Sequence, residues 1–359
     1  MVDQLKTSFH VEYIHKLNIP FFLKIVFHLK NLLTTVIFSK KISKNKNIII
    51  SKYYSYQISK FLKNSKNFDL IFAPTASTEI AFIKTSIPIV YLSDSTFDQL
   101  YNYYDDISNF TKRTINECSL IEKNALNNAQ HIVFSSDWAK NFAIQYYNIS
   151  EKKISVIPFG ANLEIIPNSY IKKCVDKNFN ILFLSKFWKR KRGDLVLNVF
   201  DELINIFPKK NINLFIVGID PRLKNLNNKI KVYQFLNKAV DEESKLFYKI
   251  LSDSHILFLP SVADCTPIVF CESFAYSIPV VSTNTGGISS IVSHGRNGFL
   301  LDEDSTISDY TNVISKIISD PDLYASLSRF SRTDYQDKFN WDNWRHNFNV
   351  VINKFFYKI

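Results

Sequence analysis

Residues 260–287 read PSVADCTPIVFCESFAYSIPVVSTNTGG. Two carboxylates, Asp264 and Glu272, stand eight apart around the turn Thr266-Pro267-Ile268-Val269. An apolar run, residues 255–261, comes before the turn, and another, residues 279–284, leads to Gly286-Gly287. Continuous apolar runs of that length on either side of a helix-sized stretch mark parallel strands covered on both faces. The stretch therefore predicts strand, loop, helix over 268–276, strand and a Gly-Gly turn. It also raises a question: is this an ordinary corner, or the floor of a binding site?

The same alternation runs outward from it. In the second half, apolar runs fall at 180–187, 213–218, 229–236, 255–261, 279–284 and 298–301, with helical patterns such as 194–207 and 242–252 between them. In the first half they fall at 10–14, 47–50, 69–74, 87–94, 131–136 and 154–161. Residues 162–178 follow neither pattern and read as the linker. The expected fold class is α/β, with two doubly wound Rossmann-like domains facing across a cleft. A chain of 359 residues suits two cores better than one.

Composition sets limits. Hydrophobic residues make up 46% and charged residues 21%, the range of a soluble globular protein. The most apolar window, residues 20–38, is interrupted by Lys24, His28 and Lys30, so it reads as a packed or amphipathic helix rather than a membrane span. Cys118, Cys174, Cys265 and Cys271 form no C-x-x-C pair and no metal spacing, which fits reduced thiols in a cytoplasmic protein. Cys265 and Cys271 read as small buried fillers. The charge is uneven: residues 1–66 hold twelve lysines, Lys16 and Lys66 among them, against Asp3 and Glu12, a net of +10. A solvated lysine-rich face explains this, and so does a surface that meets anionic lipid or an anionic acceptor. Arginine is scarce and no nucleic-acid motif is present, so no nucleic acid partner is expected.

In doubly wound sheets ligands sit at the carboxyl ends of the strands. All seven glycines lie at or after residue 160, so a loop that lets phosphate approach the backbone belongs to the second half. Four strand exits there carry polar or glycine signals: 185–194, 217–218, 261–272 and 285–287. The first, with Lys186, Lys189, Arg190, Lys191 and Arg192 before Gly193-Asp194, suits a diphosphate, arginine as a fork and lysine as a point charge. The third offers a helix start for phosphate or sugar hydroxyls, with Asp264 on the loop and Glu272 one to two turns into the helix. Alone, the first is also a solvated basic turn, and the third a capped corner with a surface glutamate. Asp105-Asp106 and Asp320/Asp322 read as solvated surface rather than metal ligands.

Taken in order, the stretches FWKRKRGDLVLNVF, LFIVG, ILFLPSVADCTPIVFCESFAYSIPVVSTNTGGI and SHGRNGFLL resemble the retaining nucleotide-sugar glycosyltransferases of family 4, the group 1 glycosyltransferases of the GT-B fold. FDLIFAP, IPIVYLSDSTFDQL, IVFSSDWA and VIPFGANL extend the resemblance into the first half. It implies a domain at 1–162 on the acceptor side, a donor domain at 163–340, and a last helix, 341–359, that crosses back to the first domain. By position it implies that Lys191 neutralises the donor diphosphate, with Arg190 beside it. Asp264 takes the place of the first acid, usually glutamate, near the donor sugar, and Glu272 that of the second, which holds the ribose. Thr266, Pro267, Ile268, Val269 and Gly218 fall among the donor contacts. Asp94 ends a strand where many members place a histidine near the reacting carbon; it also reads as a turn cap.

The chain departs from the pattern at Lys186, where arginine is usual, at Arg192, where the first of two glycines is usual, and at Ser290, where glutamate is common. The start, LKTSFHVEYI, resembles the tail of the first helix entering the second strand, so the opening strand and glycine loop are expected to be missing. The implied function is sugar transfer from a UDP- or GDP-linked donor to a glycan or lipid-linked acceptor with retention of configuration, without metal or cofactor. The expected place is the cytoplasm, with peripheral contact at the inner membrane face. Two other readings stay open: a member that binds nucleotide sugar without turnover, and an epimerase of the same fold.

Overall fold

In the second half every apolar run becomes a parallel strand. Strands β5 (Asn178–Leu184), β6 (Asn211–Val217), β7 (Ile230–Tyr233), β8 (Ile256–Leu259), β9 (Val280–Thr283) and β10 (Gly298–Leu301) are interspersed with α8 (Gly193–Ile206), α9 (Asp241–Asp253) and α10 (Ile268–Ala275), and α11 (Ile307–Ser319) and α12 (Pro321–Asp337) follow the last strand. The burial explains the lack of alternation in the sequence. Successive strand side chains point to opposite faces, yet Ile181, Leu182 and Phe183 are all fully buried, as are all four residues of β8. The sheet order is β10-β9-β8-β5-β6-β7. Renumbered within this unit that is 6-5-4-1-2-3, the doubly wound order, and it reverses between β5 and β8. Helix α8 packs on α11, and α10 on α12.

The structure, a computed structural model, describes residues 1–14, 17–64, 68–221 and 226–357. Lys16 and Lys66 of the lysine-rich run lie outside the described residues. The chain divides into one unit of Met1–Ile157 with Arg345–Ile359, and a second of Pro158–Trp344. The boundaries expected from the sequence are 162/163 and 340/341. Helix α13 (Trp341–Ile352) begins in the second unit, and its later residues belong to the first.

The first unit carries α1 (Val2–Lys6), α2 (Phe21–Phe38), α3 (Ile48–Asn64), α4 (Ser77–Ile80), α5 (Phe97–Leu100), α6 (Lys112–Asn128) and α7 (Asp137–Tyr147) around β1 (Ile71–Pro74), β2 (Ile89–Ser93), β3 (His131–Phe134) and β4 (Ile154–Val156). Its four strands are parallel in the order β1-β2-β3-β4. Residues 345–357 complete this unit. The Phe348 ring meets Phe72 and Phe9 edge-on at 5.2 and 6.3 Å, and Phe355 stacks on His131 at 4.2 Å.

Two expectations for this half need correction. The run 47–50 is the start of α3, not a strand: Asn47 Oδ1 accepts the Ile50 amide, and Ile50, Ser51, Ser55 and Ile58 bury one helical face. A short apolar triplet fits either period, and here the longer amphipathic context decides. Residues 10–14 form no strand. The window 20–38 is a helix, as expected, and of the packed and amphipathic readings the second fits, since Phe27 is the one buried residue of α2.

Candidate functional site

The turn from β5 to α8 is built to hold a basic pair in place. The Gly193 amide bonds the Trp188 carbonyl (3.0 Å), and the indole Nε1 donates to Asp194 (3.0 Å). The indole lies so close over Gly193 that any Cβ there would sit 2.3 Å from the ring, so glycine is required. Arg192, just before it, has φ 49°, the left-handed region where a side chain costs about 1–2 kcal/mol. The sequence put arginine where a glycine is usual; the backbone keeps the glycine conformation.

This turn carries Lys191 and Arg190 to the exit of β8, on the other side of the point where the strand order reverses. Lys191 is only 4% exposed. Its ammonium donates to Ser261 Oγ (3.0 Å) and forms an ion pair with Asp264. Arg190 donates to the Ala263 carbonyl (2.7 Å), its own carbonyl accepts the Val262 amide (2.9 Å), and its guanidinium lies 3.9 Å from Asp264. The β9 exit joins through the Gly287 amide, which bonds the Asp264 carbonyl (3.2 Å). Thr285 Oγ1 donates to the Val262 carbonyl (3.3 Å). At the β6 exit Gly218 has φ +98°, and a Cβ there would meet the Ser185 carbonyl oxygen at 2.8 Å. All four exits thus converge on one edge of the sheet.

Burial sets the electrostatics. It pushes the Lys191 ammonium below the ordinary lysine range, while Asp264 pulls in the opposite direction. Glu272 sits on α10, 8% exposed rather than on the surface. Burial raises its carboxyl above the usual range, and Lys238 opposes that shift from 3.3 Å. Lys238 Nζ also donates to the Asn162 carbonyl (2.6 Å). Thr266 and Pro267 are buried ahead of α10, Ile268 and Val269 half-buried in its first turn, and no side chain caps that helix start. Cys265 and Cys271 are buried, as expected, whereas Cys174 is exposed.

The structure therefore brings Arg190, Lys191 and Asp264 into contact and places Gly218, Thr266, Pro267, Ile268, Val269 and Glu272 on the same edge. Asp94 belongs to the first unit, at the exit of β2, half-buried, where its Oδ1 accepts from Ser95 Oγ (3.1 Å). Lys186 stays exposed, its ammonium 4.0 Å from the centre of the Phe235 ring. Two contributors were not singled out in the sequence, Ser261 and Lys238. Ser261 had a signal, as the first hydroxyl after β8. Lys238 had none, because its partner is 34 residues away. Among the described residues no group of three His, Cys, Asp or Glu side chains is placed to hold a metal ion.

Comparison with known proteins gives a consistent picture. The profile described as Glycosyl transferases group 1 matches residues 170–334, and that described as Glycosyltransferase Family 4 matches residues 28–165. An uncharacterized glycosyltransferase of Haemophilus influenzae is 30% identical over 195 residues, 52% of each chain. The chain spans about half the length of the curated relatives it matches. Sucrose-phosphate synthase from Thermosynechococcus elongatus superposes with a TM-score of 0.63 at 17% identity, over 87% of this chain and 79% of that one. Anabaena Alr3699/HepE, solved in complex with UDP-glucose, gives 0.60 at 19% identity over 84% and 82%. The shared architecture is GT-B, two Rossmann-like domains.

Proposed function

The chain belongs to the group 1 glycosyltransferases of the family 4 type, and on that premise we propose that it moves a sugar from a nucleoside diphosphate sugar to a glycan or lipid-linked acceptor with retention at the anomeric carbon. One observation carries the reading: a buried lysine, Lys191, bridges the exits of β5 and β8 at the reversal of strand order. A buried cation at that position suits a diphosphate, which supports the reading. The donor class agrees with the UDP-glucose in the Anabaena complex.

In this reading the glycosidic C–O bond to the donor phosphate breaks as the acceptor oxygen bonds to the anomeric carbon. The electron pair leaves on the nucleoside diphosphate, and the acceptor proton passes to a leaving phosphate oxygen. Lys191 and Arg190 stabilise the charge that develops there, the role otherwise filled by a metal ion. The start of α10, around Thr266–Val269, adds backbone amides on the same edge. Glu272 accepts from the ribose diol, exchanging its bond with Lys238 for bonds to the nucleotide. Asp264 holds Lys191 in place and faces the donor sugar. In the first unit, Asp94 takes the role near the reacting carbon that the resemblance implies for it. The work is cytoplasmic, where nucleotide sugars are made.

The test is incubation of the full chain with labelled UDP- and GDP-sugars, following release of nucleoside diphosphate. The reading expects release with at least one donor, and a fall of about 100-fold in Lys191→Ala. Unchanged release in Lys191→Ala would remove Lys191 from the site.

A further inference from the structure

Helix α2 carries more exposed apolar surface than any other element described. At about 100° per residue, Phe22, Ile25, Leu29, Leu32, Leu33 and Val36 fall on one arc, widened by Phe21, Val26 and Ile37 to about 160°. Every one of these side chains is exposed, up to 77% at Phe21 and 73% at Val36. The opposite side faces the unit: Phe27 is buried, and Leu23, Asn31 and Thr34 are half-buried. Asn31 Oδ1 accepts the Ile42 amide (2.8 Å), which ties the helix to the segment that follows it.

The edges of the arc are basic. Lys24 and His28 line one edge, and Lys44 joins them, its ammonium 3.3 Å from His28 Nδ1. Lys30 lines the other. A cavity of about 440 Å³ runs along the first edge, with Lys24, His28 and Lys44 beside Ile25 and Leu29 in its wall. No acid lies between Glu12 and Asp69, and the whole stretch 1–66 carries +10. An apolar stripe flanked by lysines is the form of a helix that lies in a membrane interface, with its stems along the acyl boundary and its ammonium groups at phosphates.

We propose that α2 docks the protein flat on an anionic lipid bilayer, its apolar arc sunk to the acyl boundary and Lys24, Lys30 and Lys44 at headgroup phosphates. By length and composition alone, an apolar helix of 18 residues could cross a membrane. Spanning would, however, strip it from the unit on which Phe27 packs and carry Lys24, His28, Lys30 and Asn31 into hydrocarbon. A second copy is the poorer occupant. A two-fold contact along the arc would set lysine-bearing edges against each other, whereas an anionic surface complements both.

The experiment is co-sedimentation of the full chain with vesicles of phosphatidylcholine alone or mixed with phosphatidylglycerol. The expected result is binding to the anionic vesicles, weakened by salt and released by alkaline carbonate. Leu29→Glu/Leu33→Glu should lower partitioning at least tenfold with an unchanged circular dichroism melt, since both side chains are already exposed. Lys24→Gln/Lys30→Gln should lower it about 25-fold, or fivefold per lysine. Four outcomes would overturn the proposal: no vesicle binding, binding indifferent to the leucine variant, resistance to carbonate as for a spanning helix, or a dimer that the leucine variant converts to monomer without any change in vesicle binding. Release of nucleoside diphosphate in vesicle-free solution is expected to be the same in these variants, so failure here leaves the sugar-transfer reading to its own test.

Discussion

Replacing Asp264 by asparagine keeps the shape of the side chain and removes its charge. Lys191 would then be buried with Ser261 Oγ as its hydrogen-bond partner and Arg190 close by. Removing one member of a buried ion pair costs about 3–5 kcal/mol, because the other charge is left without compensation. For a cooperative unit the size of Pro158–Trp344, each kcal/mol lowers Tm by about 2–4 °C. Asp264→Asn should therefore melt about 6–20 °C below the native chain. The variant can escape part of that cost by releasing the Lys191 proton, since burial already lowers its pKa and Asp264 is the main group opposing that shift. A lysine with a depressed folded pKa makes stability rise with pH toward the unfolded value, so the deficit should shrink as pH is raised. Lys191→Met/Asp264→Asn should recover most of the loss. A nucleoside diphosphate brings the missing negative charge, so its addition should raise the Tm of Asp264→Asn more than that of the native chain. Differential scanning calorimetry with and without UDP or GDP reads all of this. A fall of less than about 2 °C, with equal nucleotide shifts in both proteins, would refute the reasoning.

Two further outcomes are expected. Glu272→Gln should weaken nucleoside diphosphate binding about tenfold or more by titration calorimetry, since a buried bond to a charged group is lost. The ligand-free Tm should barely move, because the Lys238 pair it breaks is partly exposed. His255 is buried neutral, its pKa lowered to about 4 mainly by burial and then by Lys173. Its Nδ1 accepts the Asn180 amide (3.0 Å), so the proton sits on Nε2, which reaches the Cys174 carbonyl (3.1 Å). Charging Nδ1 forfeits the first bond, so the stability present above pH 6.5 should fall by about 3 kcal/mol as pH drops toward 4. Urea titrations at stepped pH should show His255→Gln with a flatter acid limb than the native chain; identical limbs would place the titration elsewhere.

The second unit was largely legible because its central strands, β8 and β9 above all, are buried on both faces, which leaves unbroken apolar runs such as residues 255–261. The strand exits could then be read for chemistry, and the structure brings Arg190, Lys191 and Asp264 together there. The first unit was less legible. Residues 48–50, Ile-Ile-Ile, carry strand propensity but open a helix, because the period of Ile50, Ser51, Ser55 and Ile58 extends beyond any window that short. The exposure of α2 was not readable either, since an apolar helix looks the same in sequence whether it faces a core or a bilayer. Lys238 escaped because its role depends on a partner brought near by tertiary folding. Arg192 shows the reverse: a residue out of pattern standing in the backbone geometry the pattern requires.

The division of the chain also bears on synthesis. The second unit is one uninterrupted stretch, Pro158–Trp344, whereas the first needs residues from 345 onward to cover Phe72 and His131. On the ribosome the segment translated first must therefore wait for the segment translated after the whole second unit. During that interval Phe72 and His131 lack the rings of Phe348 and Phe355 that pack on them. A nascent chain in that state is a natural client for a chaperone, and a protease that clips near residue 344 would undo the beginning of the protein rather than its end.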